Sequence, residues 1–233
     1  MNANELSQRL QTVAELVEPG ARVADIGSDH AYLPVALVRA GKINFAVAGE
    51  VVTGPFESAQ RQVAKFGLQD QIAVRFGDGL AVIEPADQID TITICGMGGV
   101  LIRDILQRGN LTGQEKLILQ PNVAEYQLRQ WLVTRGYTLT AERIIREHHK
   151  TYEVIVAEKT PVQPDYSAKE LYFGPHLLQA RDPIFIKKWQ HQLTKQVAIL
   201  ASLEKSTHAV ESKKVQLQQE ISWIKEVIAH AGN

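Results

Sequence analysis

Cysteine is almost absent from this sequence. With Cys95 alone in 233 residues, no disulfide can close within the chain, which fits a reducing compartment. Its neighbours are Thr93-Ile94 and Gly96-Met97, with no basic cluster beside them, so Cys95 reads as a small strand-end residue rather than an activated thiol. Long apolar runs are also missing. No stretch reaches the roughly 20 residues that a membrane-spanning helix needs. Met1–Leu10 is polar and lacks the apolar stretch of a secretory signal, so a cytoplasmic location is expected. Nor is there an excess of charge of one sign, the net value being −1. Residues 1–160 carry 16 Lys+Arg against 19 Asp+Glu, and residues 161–233 carry 9 against 7. So small an asymmetry fits a solvated surface as well as a nucleic-acid patch. No metal site, membrane contact or obligate protein partner is expected.

What is present is a 45% apolar composition, enough to bury a sizeable core, and a regular alternation of elements. Leu6, Leu10, Val13 and Val17 recur at helical spacing until Pro19-Gly20 stops them. The spacing then predicts strands over 22–26, 45–50, 71–77, 91–95 and 116–120. Helices are predicted over 33–40, 56–66, 100–107 and 124–135. Residues 137–145 and 152–157 complete the series as an antiparallel pair, because only the short His148-His149-Lys150 stretch joins them. Repeated strand–helix units ending in a strand pair define an α/β fold, a Rossmann-like, doubly wound, mostly parallel sheet.

Thr160-Pro161-Val162-Gln163-Pro164 marks a boundary, which predicts domains over 1–160 and 161–233. Beyond it Ile186, Trp189, Leu193, Gln196, Leu200 and Leu203 are spaced three and four apart. So are Val210, Leu217, Ile221, Ile224 and Ile228 if Lys214 fills one slot. Such heptads predict a C-terminal antiparallel coiled-coil helical hairpin with its turn near Ser206–Val210.

In a doubly wound sheet ligands bind outside the carboxyl ends of the strands. There the chain reads Val23-Ala24-Asp25-Ile26-Gly27-Ser28-Asp29-His30-Ala31-Tyr32. A strand ending in an acid, then a turn at Gly27-Ser28 opening a helix, lets backbone amides approach a ligand closely. Glu50 ends the second strand, where a carboxylate can hold the ribose hydroxyls of an adenine nucleoside. Asp78, in Gly77-Asp78-Gly79, ends the third, where it can accept from the adenine amino group. One such acid can be a helix cap; three at successive strand ends are hard to explain that way. A nicotinamide dinucleotide would need Gly-x-Gly-x-x-Gly, but Asp29 occupies the second glycine position. A pyrophosphate about 4 Å from that carboxylate costs on the order of 4 kcal/mol at an effective dielectric of 20. The sulfonium of S-adenosylmethionine is positive and would be attracted by Asp25 and Asp29.

VADIGSDHAYLP (23–34), AGE (48–50), GDGL (77–80), TICGMGGVLI (93–102), LQPN (119–122) and the opening ELSQRL (5–10) together resemble the TrmK family, bacterial tRNA (adenine-22-N1)-methyltransferases. DIGSDHAYLP and ICGMGG are more specific to that group than to methyltransferases at large, and the resemblance runs along nearly the whole chain. It implies transfer of a methyl group from S-adenosyl-L-methionine to N1 of an adenine in the D arm of tRNA. It also implies a donor site at Asp25, Gly27, Glu50, Asp78, Gly79 and the Gly96-Met97 turn, with Ser28 in the same glycine turn as Gly27.

On the acceptor side, many amino-methylating enzymes of this fold place Asn/Asp-Pro-Pro-aromatic after the fourth strand. This chain has Cys95-Gly96-Met97-Gly98-Gly99, whose small residues leave room for a planar base and whose backbone carbonyls can accept from an exocyclic amine. Asn122 either binds substrate or caps the next helix. N1 of adenine has a free lone pair, so no base is needed, and His30 at a helix start is more often a cap than a catalyst. The developing positive charge needs a fixed carboxylate, for which Asp29 is the candidate, with Tyr32 as a stacking partner. Pairing hides N1, so the base must be extruded or unpaired. Arg9 and, on the hairpin, Lys187, Lys188, Lys195, Lys213 and Lys214 are the candidates for phosphate contacts. Two other readings remain open from the residues: a methyltransferase of this fold acting on a small molecule or protein, with the hairpin used to dimerise, and a non-catalytic nucleotide-binding module.

Overall fold

The computed structural model describes residues 6–204 and 211–229. Contacts divide the chain into two compact units meeting between Tyr166 and Ser167. In the first unit, β1 (Arg22–Ile26), β2 (Phe45–Glu50), β3 (Ile72–Phe76), β4 (Thr91–Met97), β5 (Lys116–Pro121), β6 (Thr138–Glu147) and β7 (Lys150–Glu158) form one sheet. Its order is β3-β2-β1-β4-β5-β7-β6. The first five strands are parallel, and β7 and β6 close one edge in antiparallel pairing. Five helices flank it: α1 (Gln8–Leu16), α2 (Tyr32–Arg39), α3 (Thr53–Lys65), α4 (Gly99–Arg108) and α5 (Glu125–Thr134).

The central strands read as unbroken apolar runs because helices cover both faces. Ile92, Ile94 and Leu117 to Leu119 are at most 1% exposed. The β6–β7 joint turns on His148 and His149, at φ of 44° and 68°, the paired left-handed conformation of a two-residue hairpin turn. Behind it, Arg129 of α5 is fully buried between Glu142 of β6 and Glu153 of β7. Its Nε donates to Glu142 at 2.6 Å and its second guanidinium nitrogen donates to Glu153.

The proline segment after Thr160 is bound to the first unit. Gln163 Nε2 donates to the Gly136 carbonyl at 2.6 Å, and the Tyr166 hydroxyl donates to that of Leu139 at 3.3 Å. These bonds carry the unit past residue 160, where the prolines suggested it ends.

The second unit contains more than the two long helices read from the heptads. α6 (Ala168–Phe173) and α7 (Pro175–Ala180) precede α8 (Pro183–Glu204) and α9 (Glu211–Ala229). A reciprocal capping box between Ser167 and Glu170 starts α6. Tyr172 meets Trp189 of α8 and Trp223 of α9, while Gln196 of α8 donates to Glu220 of α9 at 2.8 Å. Those pairings run the two helices in opposite directions. The turn expected near Ser206–Val210 lies outside the described residues. Two positions correct the heptad reading: Phe185 at 0% and Val227 at 2% exposed are core, whereas Ile186 and Ile228 are only half-buried. Apolar neighbours one position apart cannot be ranked by spacing alone when the true period is 3.6.

Candidate active site

Parallel pairing brings the carboxyl ends of β1 to β5 to one edge of the sheet, with Ile26 beside Gly49 and Ile94, and Glu50 beside Phe76. After β1 the chain turns sharply. The amides of Gly27 and Ser28 both donate to the Gly49 carbonyl, at 2.9 and 3.1 Å. Gly27 has φ +69°, a conformation that favours glycine, and a Cβ there would lie 2.1 Å from Met97 Cε and push the end of that side chain aside. The next three residues, Asp29, His30 and Ala31, have φ of 38°, 62° and 53°. Three successive left-handed non-glycine residues carry strain on the order of 1 kcal/mol each. Two carboxylates hold the start of this turn. Glu50 accepts the Asp29 amide, and Asp25 accepts the Ser28 hydroxyl at 2.6 Å.

Asp25 is 4% exposed, and its other oxygen accepts from Thr93 Oγ1 at 2.6 Å. Burial pushes its pKa up to about 6, against the opposing pull of the Ser28 and Thr93 hydroxyls; the Glu50 charge adds to the rise and Arg9 opposes it. The folded value lies above the unfolded one, so the folded chain holds the extra proton between about pH 4 and 6. Asp25 therefore contributes stability that is fully present below pH 4 and lost as pH rises through 6. Asp25→Asn is expected to raise stability at pH 8 by on the order of 2–3 kcal/mol, the gain vanishing by pH 4. Thermal unfolding at both values checks it, and an equal shift at the two would contradict it.

Glu50 is 6% exposed, and burial raises its pKa against the Asp29 amide's pull. Asp78 stands in the open, its carboxylate 66% exposed and 3.3 Å from Arg108 of α4. With Gly79, Leu80, Ile105, Arg108 and Asn110 it lines a cavity of 430 Å³. Gly79, at φ +57°, keeps the cavity floor close to Ile105, 3.1 Å from where a Cβ would sit. The Asp29 side chain is 73% exposed and reaches His30 Nε2 at 3.4 Å. His30 stacks on Tyr32, ring centres 5.2 Å apart and planes 18° apart, and Tyr32 packs against the core behind it. Burial pushes the Cys95 thiol well up, and Cys95 is the free thiol expected from its neighbours.

At the glycine-rich end of β4 the pairing with β5 shifts register between Cys95 and Met97. The carbonyls expected to be free are already engaged. Asn122 Nδ2 donates to the Gly96 carbonyl and the Asn122 amide to that of Met97, both at 2.7 Å. Gly99 cannot carry a side chain, since a Cβ would fall 2.5 Å from the Ala124 carbonyl. The Arg9 guanidinium faces the buried Gln120 at 2.6 Å and lies over the Tyr152 ring. Thr93, Gln120 and Arg108 join the site without having been among the residues expected there; a glutamine inside the apolar Leu117-Ile118-Leu119-Gln120-Pro121 is the one signal in the sequence that finds such a residue. Lys187 and Lys188 belong to the second unit, Lys187 exposed and Lys188 over the ring of Trp189.

A parallel sheet closed by an antiparallel pair, with carboxylates at the carboxyl ends of three successive strands and one in place of the fingerprint's second glycine, is that of a Rossmann-like methyltransferase. Residues 23–226 match the family model described as tRNA (adenine(22)-N(1))-methyltransferase. A protein of that name from Bacillus subtilis is 44% identical over 99% of this chain and 100% of its own length. The solved structure of a putative tRNA (m1A22) methyltransferase from Streptococcus pneumoniae, in complex with S-adenosyl-L-methionine, is 43% identical, with a TM-score of 0.87 over 96% of this chain and 100% of that one. A protein of the NADB-Rossmann superfamily from Streptococcus agalactiae is 45% identical, with a TM-score of 0.89 over 96% of this chain and 97% of that one. The chain belongs to the tRNA (adenine(22)-N(1))-methyltransferase family.

Proposed function

We propose that this chain transfers the methyl group of S-adenosyl-L-methionine to N1 of an adenine in the D arm of tRNA, position 22. The observation that carries the reading is that Asp25 and Glu50, at adjacent strand ends, are hydrogen-bonded to the Ser28-Asp29 turn, where this fold binds nucleoside ligands. The residues fit such a donor. Glu50 accepts from the amides of Asp29 and Val51, and the remaining lone pairs of its carboxylate accept ribose hydroxyls. Asp78 and Gly79 line a cavity of a size for an adenine, where the carboxylate accepts the amino group and Arg108 yields it. Gly27, Ser28, Gly96 and Met97 border the methionine part of the donor. When bound, the donor supplies an electrophilic methyl carbon on a positively charged sulfur.

The lone pair of N1 takes the methyl and the carbon–sulfur electrons stay with sulfur, so positive charge moves onto the base. Asp29 faces that charge and stabilises it. Its left-handed turn holds the carboxylate out from the core, and Tyr32 with His30 gives the base a surface to stack on. The second unit, with Lys187 exposed on α8, contributes phosphate contacts, and the enzyme works in the cytoplasm, where its tRNA is.

Asp29→Asn keeps the shape and tolerates the same backbone. It should lower turnover at least about tenfold while donor affinity falls much less. Single-turnover methylation of tRNA at saturating donor reads this directly, and a wild-type rate would remove Asp29 from the chemistry. The donor reading is checked by titration: S-adenosyl-L-methionine should bind well ahead of NAD or ATP, and a preference for the nucleotides would refute it.

A further inference from the structure

Gln120 is 0% exposed, and all four of its hydrogen-bonding positions are taken. Its Oε1 accepts from Arg9 Nη1 at 2.6 Å and from the Gly96 amide at 3.0 Å. Its Nε2 donates to the Pro121 carbonyl at 2.8 Å and to Asn122 Oδ1 at 3.2 Å. A guanidinium is always a donor, so the amide cannot turn over without setting donors against donors and acceptors against acceptors. That fixes Asn122 in turn: its Oδ1 faces Gln120 and its Nδ2 faces the Gly96 carbonyl. Asn122 is exposed beside the acceptor turn, and its Oδ1 keeps a second lone pair.

Resting on the tRNA-adenine reading, we propose that Asn122 Oδ1 accepts the exocyclic amine of the target base, and that Arg9 acts through Gln120 to hold that oxygen in place. Arg9 is then a positioning residue rather than a phosphate contact. The choice of base follows. Adenine carries an amino donor at C6 next to the free N1, whereas guanine carries a carbonyl there and a proton on N1. An oxygen held at this place pairs with the adenine amine, repels the guanine carbonyl and leaves the N1 lone pair to the methyl group. Were the amide reversed, the preference would reverse with it.

The test is a cycle between protein and base, using tRNA transcripts with adenosine or purine riboside, which lacks only the amine, at the target position. Wild type should lose about tenfold or more in single-turnover kcat/KM when the amine is removed. Asn122→Ala should start lower on adenosine and lose little further. Equal losses in the two proteins would overturn the role of Asn122. Gln120→Glu still accepts from Arg9 and Gly96 but cannot donate to Asn122. It and Arg9→Met should lower kcat with the Kd for S-adenosylmethionine unchanged, and Arg9→Lys should recover most of the loss. An Arg9→Met variant that instead raises KM for tRNA, leaves kcat intact and flattens the salt dependence would make Arg9 a phosphate contact and overturn the relay. A wild-type protein inactive on every transcript overturns the broader reading, and this one with it.

Discussion

Arg129→Met is expected to cost about 3–5 kcal/mol of folding stability, the scale for removing one partner of a buried ion pair. Arg129, Glu142 and Glu153 are each at most 3% exposed. Without the guanidinium the two buried carboxylates lose the cation that bridges them. They must then stay charged at a large desolvation cost or each take up a proton. The sign of the pH effect follows: the variant's unfolded state releases protons that its folded state keeps, so its deficit is larger at pH 8 than at pH 5. Replacing all three residues with apolar ones of similar volume should recover much of the loss. Urea unfolding at the two pH values measures it. A deficit below about 1 kcal/mol at pH 8 would mean the triad is solvated like a surface pair.

Glu50→Ala should weaken S-adenosylmethionine binding by roughly 1–3 kcal/mol, as expected for loss of a charged acceptor. Glu50 is 6% exposed and accepts the amide of Asp29, so the substitution removes both the proposed ribose acceptor and a clamp on the left-handed turn. Asp78→Ala should fall at the lower end of the same range, because Asp78 is exposed and already paired with Arg108, so water and salt screen it. Isothermal titration of both variants separates them. Unchanged affinity in both would place the adenosyl group elsewhere.

Much of the sheet was legible because its signals are local. β1 and β2 are apolar runs bounded by Gly20, Gly27 and Glu50, and their ends fall where the sequence breaks. α3 begins at Thr53, ahead of the expected Phe56, because Pro55 tolerates the first helical turn, where its missing amide has no partner to lose. The short α6 and α7 had no repeat long enough to show a period. At the site, the acids and glycines were visible because each lies at or just beyond the end of a strand. Their partners were not: Thr93 reaches Asp25 through the sheet's register, while Arg108 with Asp78 and Arg9 with Gln120 are joined by the packing of helices on the sheet, across 30 to 111 residues of chain. The strain was half visible. Asp29 stood out as a residue in a glycine's place, but nothing local to the sequence says that His30 and Ala31 share its left-handed backbone. The contact at the start of that turn, from the Asp29 amide to Glu50, spans twenty-one residues of chain.

The most direct test of the account is methyl transfer itself. Purified protein, S-adenosylmethionine labelled in its methyl group and a tRNA transcript with adenosine at position 22 should give one labelled nucleoside, 1-methyladenosine, at that position. A transcript with guanosine there should take up no label. Label on another base, or none on tRNA beside label on a protein or small molecule, would contradict it.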